Sequence, residues 1–156
     1  MIYARFVTNV IHLGFIMRDA DAVNRMVVSG LGLGPVQFKN AQMQHYLDWL
    51  EGQSSGRPWR LDEQDLETLA VWVALTQHTK LSRAQATAIG TALRTGLRHE
   101  PEAVHWYISY DHSAARWRVA ISPAVEMAAI TIDLGVVRNR IAELRRQAEA
   151  EMQAQA

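Results

Sequence analysis

Two arginines three residues apart, Arg57 and Arg60, stand in the turn Gly56-Arg57-Pro58-Trp59-Arg60, directly ahead of Leu61-Asp62-Glu63-Gln64-Asp65. Guanidiniums held on a turn can grip phosphate oxygens, and the acids that follow suit the positive N-terminal end of a helix. A second set lies upstream, on a helix expected to begin at Pro35: Gln37, Lys39, Asn40, Gln42, Gln44 and His45. Carboxamides can pair with adenine edges and a lysine with guanine or phosphate, so this row suits contact with double-stranded DNA. The plain alternative is a solvated helix face, since glutamine is favoured on helix surfaces by propensity alone. Trp59 is expected to pack under the turn and anchor it rather than to touch a ligand.

Other chemistries find less support. The six histidines, His12, His45, His78, His99, His105 and His112, show neither HxH nor HxxxH spacing, and His99-Glu100 lacks the second histidine of a zinc-protease helix, so no metal site is expected. No serine sits in GxSxG, and Asp111-His112 reads as a hairpin turn, so no catalytic residue is assigned and the chain is not read as an enzyme. Gly30-Leu31-Gly32-Leu33-Gly34 lacks the GxGxxG spacing and a preceding strand, which makes it a turn and not a phosphate cradle. No cofactor is expected.

The elements that must position these groups follow from periodicity and caps. A helix is predicted over Asp19 to Ser29, ended by the glycine cluster, and a second from Pro35 through Leu50, stopped by Gly52. On its wheel Val36, Met43, Tyr46, Leu47 and Leu50 share the side expected to be buried, with Gln37, Ala41, Gln44, His45 and Asp48 opposite. The polar turn Gly52 to Gly56, with two short extended arms, would form a wing. Asp62 and Asp65 mark the start of a helix carrying Leu66, Leu69, Ala70 and Val73, and Ser82 with Gln85 forms the capping box of another carrying Ala86, Ile89, Ala92 and Leu93. From Val104 the period becomes two, predicting a hairpin over Val104 to Tyr110 and Arg116 to Ser122, with a third strand over Ala129 to Asp133 and then a helix. Trp106, Tyr110 and Trp117 fall on one face of that hairpin and Tyr107 on the other, as core or as an apolar pocket.

Composition sets the bounds. The chain has 156 residues, 49% of them hydrophobic, which suffices for a core. Its 16 basic and 16 acidic side chains cancel, which argues against indiscriminate coating of nucleic acid. They are sorted by element, however: Asp62 to Glu67 holds four acids and no base, Arg83 to Arg98 three bases and no acid, an arrangement that allows a basic face on a neutral protein. The absence of cysteine is compatible with a reducing compartment, and the cytoplasm is the expected location. Met1 to Met17 is apolar but interrupted by Arg5, Thr8, Asn9 and His12, so neither a membrane span nor an export signal is expected there.

Four blocks carry a family resemblance: Gln44-His45-Tyr46-Leu47-Asp48-Trp49-Leu50-Glu51-Gly52, Arg57-Pro58-Trp59-Arg60-Leu61, Asp65-Leu66-Glu67-Thr68-Leu69 and Leu81-Ser82-Arg83-Ala84-Gln85-Ala86. Together they resemble the DNA-binding domain of MerR-type regulators over about half the chain, from Asp19 to Arg94. The resemblance implies a basic wing at Arg57 and Arg60, a recognition helix ending near the aromatic residues, and a C-terminal dimer helix. Tyr46-Leu47-Asp48-Trp49 departs from the family in having no arginine, and without cysteines the metal-sensing loop of some members does not carry over.

The expectation is a mainly α, α+β protein. An extension over 1–17 precedes a winged helix-turn-helix domain over 18–98, and a β-hairpin with a C-terminal dimerisation helix fills 102–156. The expected function is sequence-specific binding of double-stranded DNA by a homodimer that regulates transcription. Two alternatives stand beside it: a DNA-bending or excision factor of the same fold, and an adaptor that binds a protein partner through the 104–122 hairpin.

Overall fold

The computed structural model describes residues 19–51, 56–123 and 130–156. The expectations for residues 1–17 and for the tip of the Gly52 to Gly56 turn therefore lie largely outside the described residues.

A helix over 19–30 (α1) is closed by paired backbone bonds in which Gly32 N–H donates to Ser29 O (3.0 Å) and Leu33 N–H to Val28 O (3.2 Å). This is a Schellman cap, and Gly32 supplies the positive φ of 98° that it requires. Helix α2, Pro35–Met43, starts on Pro35, with the Gln37 side chain accepting from the Gly34 amide at 2.9 Å.

Here the structure corrects the sequence reading, because α2 stops at Met43 and does not reach Leu50. A second cap of the same kind ends it: His45 N–H donates to Gln42 O, Tyr46 N–H donates to Ala41 O, and His45 takes φ 60°. No glycine marks this stop, so the pattern of residues did not reveal it. The expected wheel holds for Tyr46, Leu47 and Leu50, which pack inward, and for Gln37, Gln44, His45 and Asp48, which are exposed, but it fails for Val36, Met43 and Ala41. Phe38 and Ala41 are the buried residues of α2, while Val36 and Met43 are 73% and 70% exposed. Phe38 decides the orientation, its ring stacked on Trp59 with centroids 4.5 Å apart.

Helix α3, Glu63–His78, opens on the expected reciprocal cap, Asp65 N–H to Asp62 Oδ1 at 2.7 Å and Asp62 N–H to Asp65 Oδ2 at 3.3 Å. It is the central element, burying Leu66, Leu69, Val71, Trp72, Val73 and Leu75 around most of its circumference. Helix α4, Arg83–His99, follows through the Ser82–Gln85 capping box and buries Ala86, Ile89, Leu93 and Leu97. Strands β1 (His105–Asp111), β2 (Arg116–Ala120) and β3 (Ile130–Asp133) form an antiparallel sheet in the order β2-β1-β3. The register pairs Tyr110 with Trp117 and Trp106 with Ile132, so Trp106, Tyr110 and Trp117 share a face and Tyr107 points the other way, as expected. Trp106, 2% exposed, fills the space left by Gly96 on α4.

Asp133 caps helix α5, Leu134–Gln155. Leu134, Ile141, Leu144 and Ala148 of this helix, assigned above to dimerisation, are buried within their own chain, in the same core as residues of α1 to α4 and the sheet. Arg138 donates to Glu67 (2.8 Å) and Arg145 to Glu63 (2.5 Å), fastening α5 to α3. The bond to Glu67 holds the Arg138 proton more firmly than usual.

The sorted charges meet each other inside the fold. Arg94 of α4, 3% exposed, donates to Asp65 (3.1 Å) and Asp62 (2.7 Å), binds Gln64 and lies 3.4 Å from Glu51. Asp65 is fully buried, so this cluster neutralises a carboxylate that burial alone would penalise by several kcal/mol. The four acids at the start of α3 thus serve Arg94, Arg138 and Arg145 within the chain.

Candidate nucleic-acid interface

Helix α2 follows α1 after the four residues Leu31 to Gly34. Anchoring Phe38 and Ala41 inward leaves Val36, Gln37, Lys39, Asn40, Met43 and Gln44 outside, together with Pro35 at the helix start. At about 100° per residue, Val36 and Met43 sit opposite Phe38, with Lys39 on one flank and Asn40, Gln44 and Gln37 on the other. No acid occurs in α2.

Gln37, Asn40 and Gln44 line a polar groove of about 260 Å³, completed by Thr76 and Gln77 at the end of α3 and Arg83 at the start of α4. The Gln77 amide is oriented by donating to Gly32 O at 3.2 Å, which ties the groove wall to the turn before α2. Arg83 and Gln77 were not singled out from the sequence. The signal available for Arg83 was its place directly after the Ser82 cap, where a cation faces outward; nothing local connects Gln77 to α2.

The remaining expected residues are dispersed. Lys39 is exposed on the other flank of α2, and Gln42 is half-buried. His45 is exposed at the C-terminal cap, with Nδ1 3.0 Å from Asp48 Oδ2. Arg60 is exposed. Arg57 does not stand beside it as a second outward grip: its Nε and Nη2 both donate to Asp21 Oδ2, at 3.0 and 2.9 Å, across 36 residues. Residues 56–60 form a turn with one bridging residue, Arg57, and not an extended arm. Asn24 of α1 completes the attachment by donating to the carbonyls of Trp59 (2.9 Å) and Leu61 (3.1 Å). The turn is thereby fastened to α1 by an ion pair in which two guanidinium donors share one carboxylate oxygen, and by two hydrogen bonds from the Asn24 amide.

The other hollows and aromatic groups lie elsewhere. A larger, mainly apolar cleft of about 800 Å³ runs between α1, the start of α3 and the end of α5, lined by Val23, Leu61 and Met152 with the Glu63–Arg145 pair at its rim. On the hairpin, Trp106 belongs to the core, whereas Tyr110 meets Trp117 and His112 edge-on at 5.2 and 5.0 Å near the β1–β2 turn. Asp111 organises that turn, its carboxylate held below the usual range by the Ser113 hydroxyl and the Ala114 amide. Among the described residues there is no cluster of three or more histidine, aspartate or glutamate side chains placed to hold a metal ion. Nor is any helix among them long and apolar enough to cross a membrane.

Comparison with protein-family models, with curated proteins and with solved structures finds no match.

Proposed function

We propose that the chain is a sequence-specific DNA-binding regulator of transcription, in which α1, the glycine turn and α2 act as a helix-turn-helix and α2 enters the major groove. The observation that carries this reading is the outer surface of α2, a short helix without an acid: Gln37 and Asn40, with Gln44 at the cap, on the flank beside a groove that ends on Arg83, and Lys39 on the other flank. Amides read base edges, while Lys39, Arg60 and Arg83 supply the sequence-independent attraction to phosphate. In this reading Arg57 is a brace that holds the turn on α1, and Arg60 alone of the pair faces DNA.

The test is recovery and sequencing of genomic DNA fragments bound by the purified chain at near-physiological salt with competitor present. A shared site should be enriched. Arg60→Ala should then weaken binding to all sequences and reduce the salt slope by about 0.9, whereas Asn40→Ala should cost about 1–3 kcal/mol on the preferred site and relax its sequence. Uniform retention, or none, would refute the proposal.

A second reading rests on the hairpin. Tyr110 is 39% exposed beside Trp117, and the sheet order leaves the outer edge of β2 open among the described strands, so a partner's strand could add there. Partners that co-purify after nuclease treatment and are lost with Trp117→Ala would favour it.

A further inference from the structure

Val36 and Met43 are the most exposed large apolar side chains among the described residues, and packing among those residues accounts for neither. They lie seven residues apart on the ridge of α2 directly opposite Phe38, with Asn40 and Lys39 on either side, so this ridge is the part of the helix that would reach deepest into a groove. Resting on the DNA-binding reading above, we propose that α2 is a reader of A·T base pairs, with Val36 and Met43 seated on thymine methyl groups and Asn40 paired with an adenine between them.

The donor and acceptor code of the major groove supports this choice. Thymine presents a C5 methyl and takes apolar contact, adenine presents N6 and N7 and takes a bidentate carboxamide, guanine favours arginine or lysine, and cytosine favours a carboxylate. Helix α2 offers two exposed apolar groups and three carboxamides, with a fourth, Gln44, at its C-terminal cap, but one lysine, no arginine and no acid. A helix with its side chains is about 10–12 Å across, which fits a major groove about 12 Å wide. Seven residues of helical rise, about 10.5 Å, correspond to about three base-pair steps at 3.4 Å, which sets the separation of the two methyl contacts. Gln37 and Gln44, on the flank toward Arg83, extend the same preference to neighbouring adenines.

The probe is a pool of synthetic duplexes with a randomised centre, selected on the purified full-length chain, followed by the recovered duplex remade with deoxyuridine in place of thymidine. The expected result is an A·T-dominated core whose affinity falls about four-fold for each contacted methyl removed. In V36A and M43A, both at exposed positions where the fold should not suffer, that penalty should shrink. A G·C-dominated core, or equal affinity for the thymidine and deoxyuridine duplexes, overturns this inference while leaving DNA binding intact. No retained duplex overturns the DNA-binding reading itself, and with it this one. Slower sedimentation of V36A or M43A than of the parent chain would assign the ridge to self-association and also overturn the inference.

Discussion

Replacing Arg94 by methionine removes the guanidinium from the α3–α4 seam while keeping most of the side chain's apolar volume. Of the groups it meets, Asp62 and Glu51 have side chains 52% and 38% exposed, so each of those pairs is worth about 0–1 kcal/mol after solvent screening. Asp65 differs because it is fully buried, 3.1 Å from Arg94 Nε. Its remaining contacts include the Glu51 amide at 3.2 Å and the Asp62 amide at 3.3 Å, which are long and do not cancel a full charge. Leaving that carboxylate without its cation should cost about 3–5 kcal/mol. For a chain of this size each kcal/mol moves the melting midpoint by about 2–4 °C, so Arg94→Met should melt about 10 °C lower. Urea unfolding should show a lower midpoint at unchanged slope. A cycle with Asp65→Asn isolates the pair: the double variant should be more stable than the sum of the singles by about 2 kcal/mol or more. A loss below about 1 kcal/mol, or additivity in the cycle, would refute the view that the sorted charges of α3 and α4 hold the fold together from inside.

Three further outcomes follow from particular contacts. In Gly96→Ala the new Cβ would stand 2.6 and 2.7 Å from Trp106 ring atoms, and overpacking of about 1–3 kcal/mol should exceed the helix-propensity gain of about 1 kcal/mol. Thermal melting should therefore fall, and a rise would show that the sheet shifts freely over α4. His45→Gly should stabilise the chain by up to about 1 kcal/mol by relieving the φ of 60°, while weakening DNA binding if the imidazole is a contact; a loss of stability would contradict the cap geometry. The depressed pKa of Asp111 means that its share of hairpin stability is present above the unfolded carboxylate value and is lost as pH falls through the lower, folded value. By NMR, the Asp111 titration should move upward in Ser113→Ala, since the Ser113 hydroxyl is its main cause, and amide exchange at Ser113 and Ala114 should quicken in acid; an unmoved titration would discard that cause.

Local signals carried much of the architecture. The Asp62–Asp65 and Ser82–Gln85 boxes place both ends of the backbone bond within three residues, and the two-residue alternation over 105–111 and 116–120 needs only adjacent strands, so a linear reading found them. The exposed amides Gln37, Asn40 and Gln44 were likewise legible, since helical spacing alone puts them on one flank. The end of α2 was not, because His45 adopts a conformation normally marked by glycine. Which side of α2 faces inward depends on a partner ring at Trp59 that no local pattern identifies.

Ion pairing was decided by tertiary structure altogether. Arg57 with Asp21, Arg94 with Asp65, Arg138 with Glu67 and Arg145 with Glu63 join residues 36, 29, 71 and 82 apart. The residue types determined that these charges existed, that they were sorted by segment, and that α5 carried one apolar row. Only the fold decided that the acids of α3 face the arginines of α4 and α5, that the row on α5 is buried in its own chain, and that Arg57 braces a turn. The physical reason is that a charge or an apolar face specifies its need for a partner, whereas the partner's identity depends on which distant segments the core brings within a few ångströms.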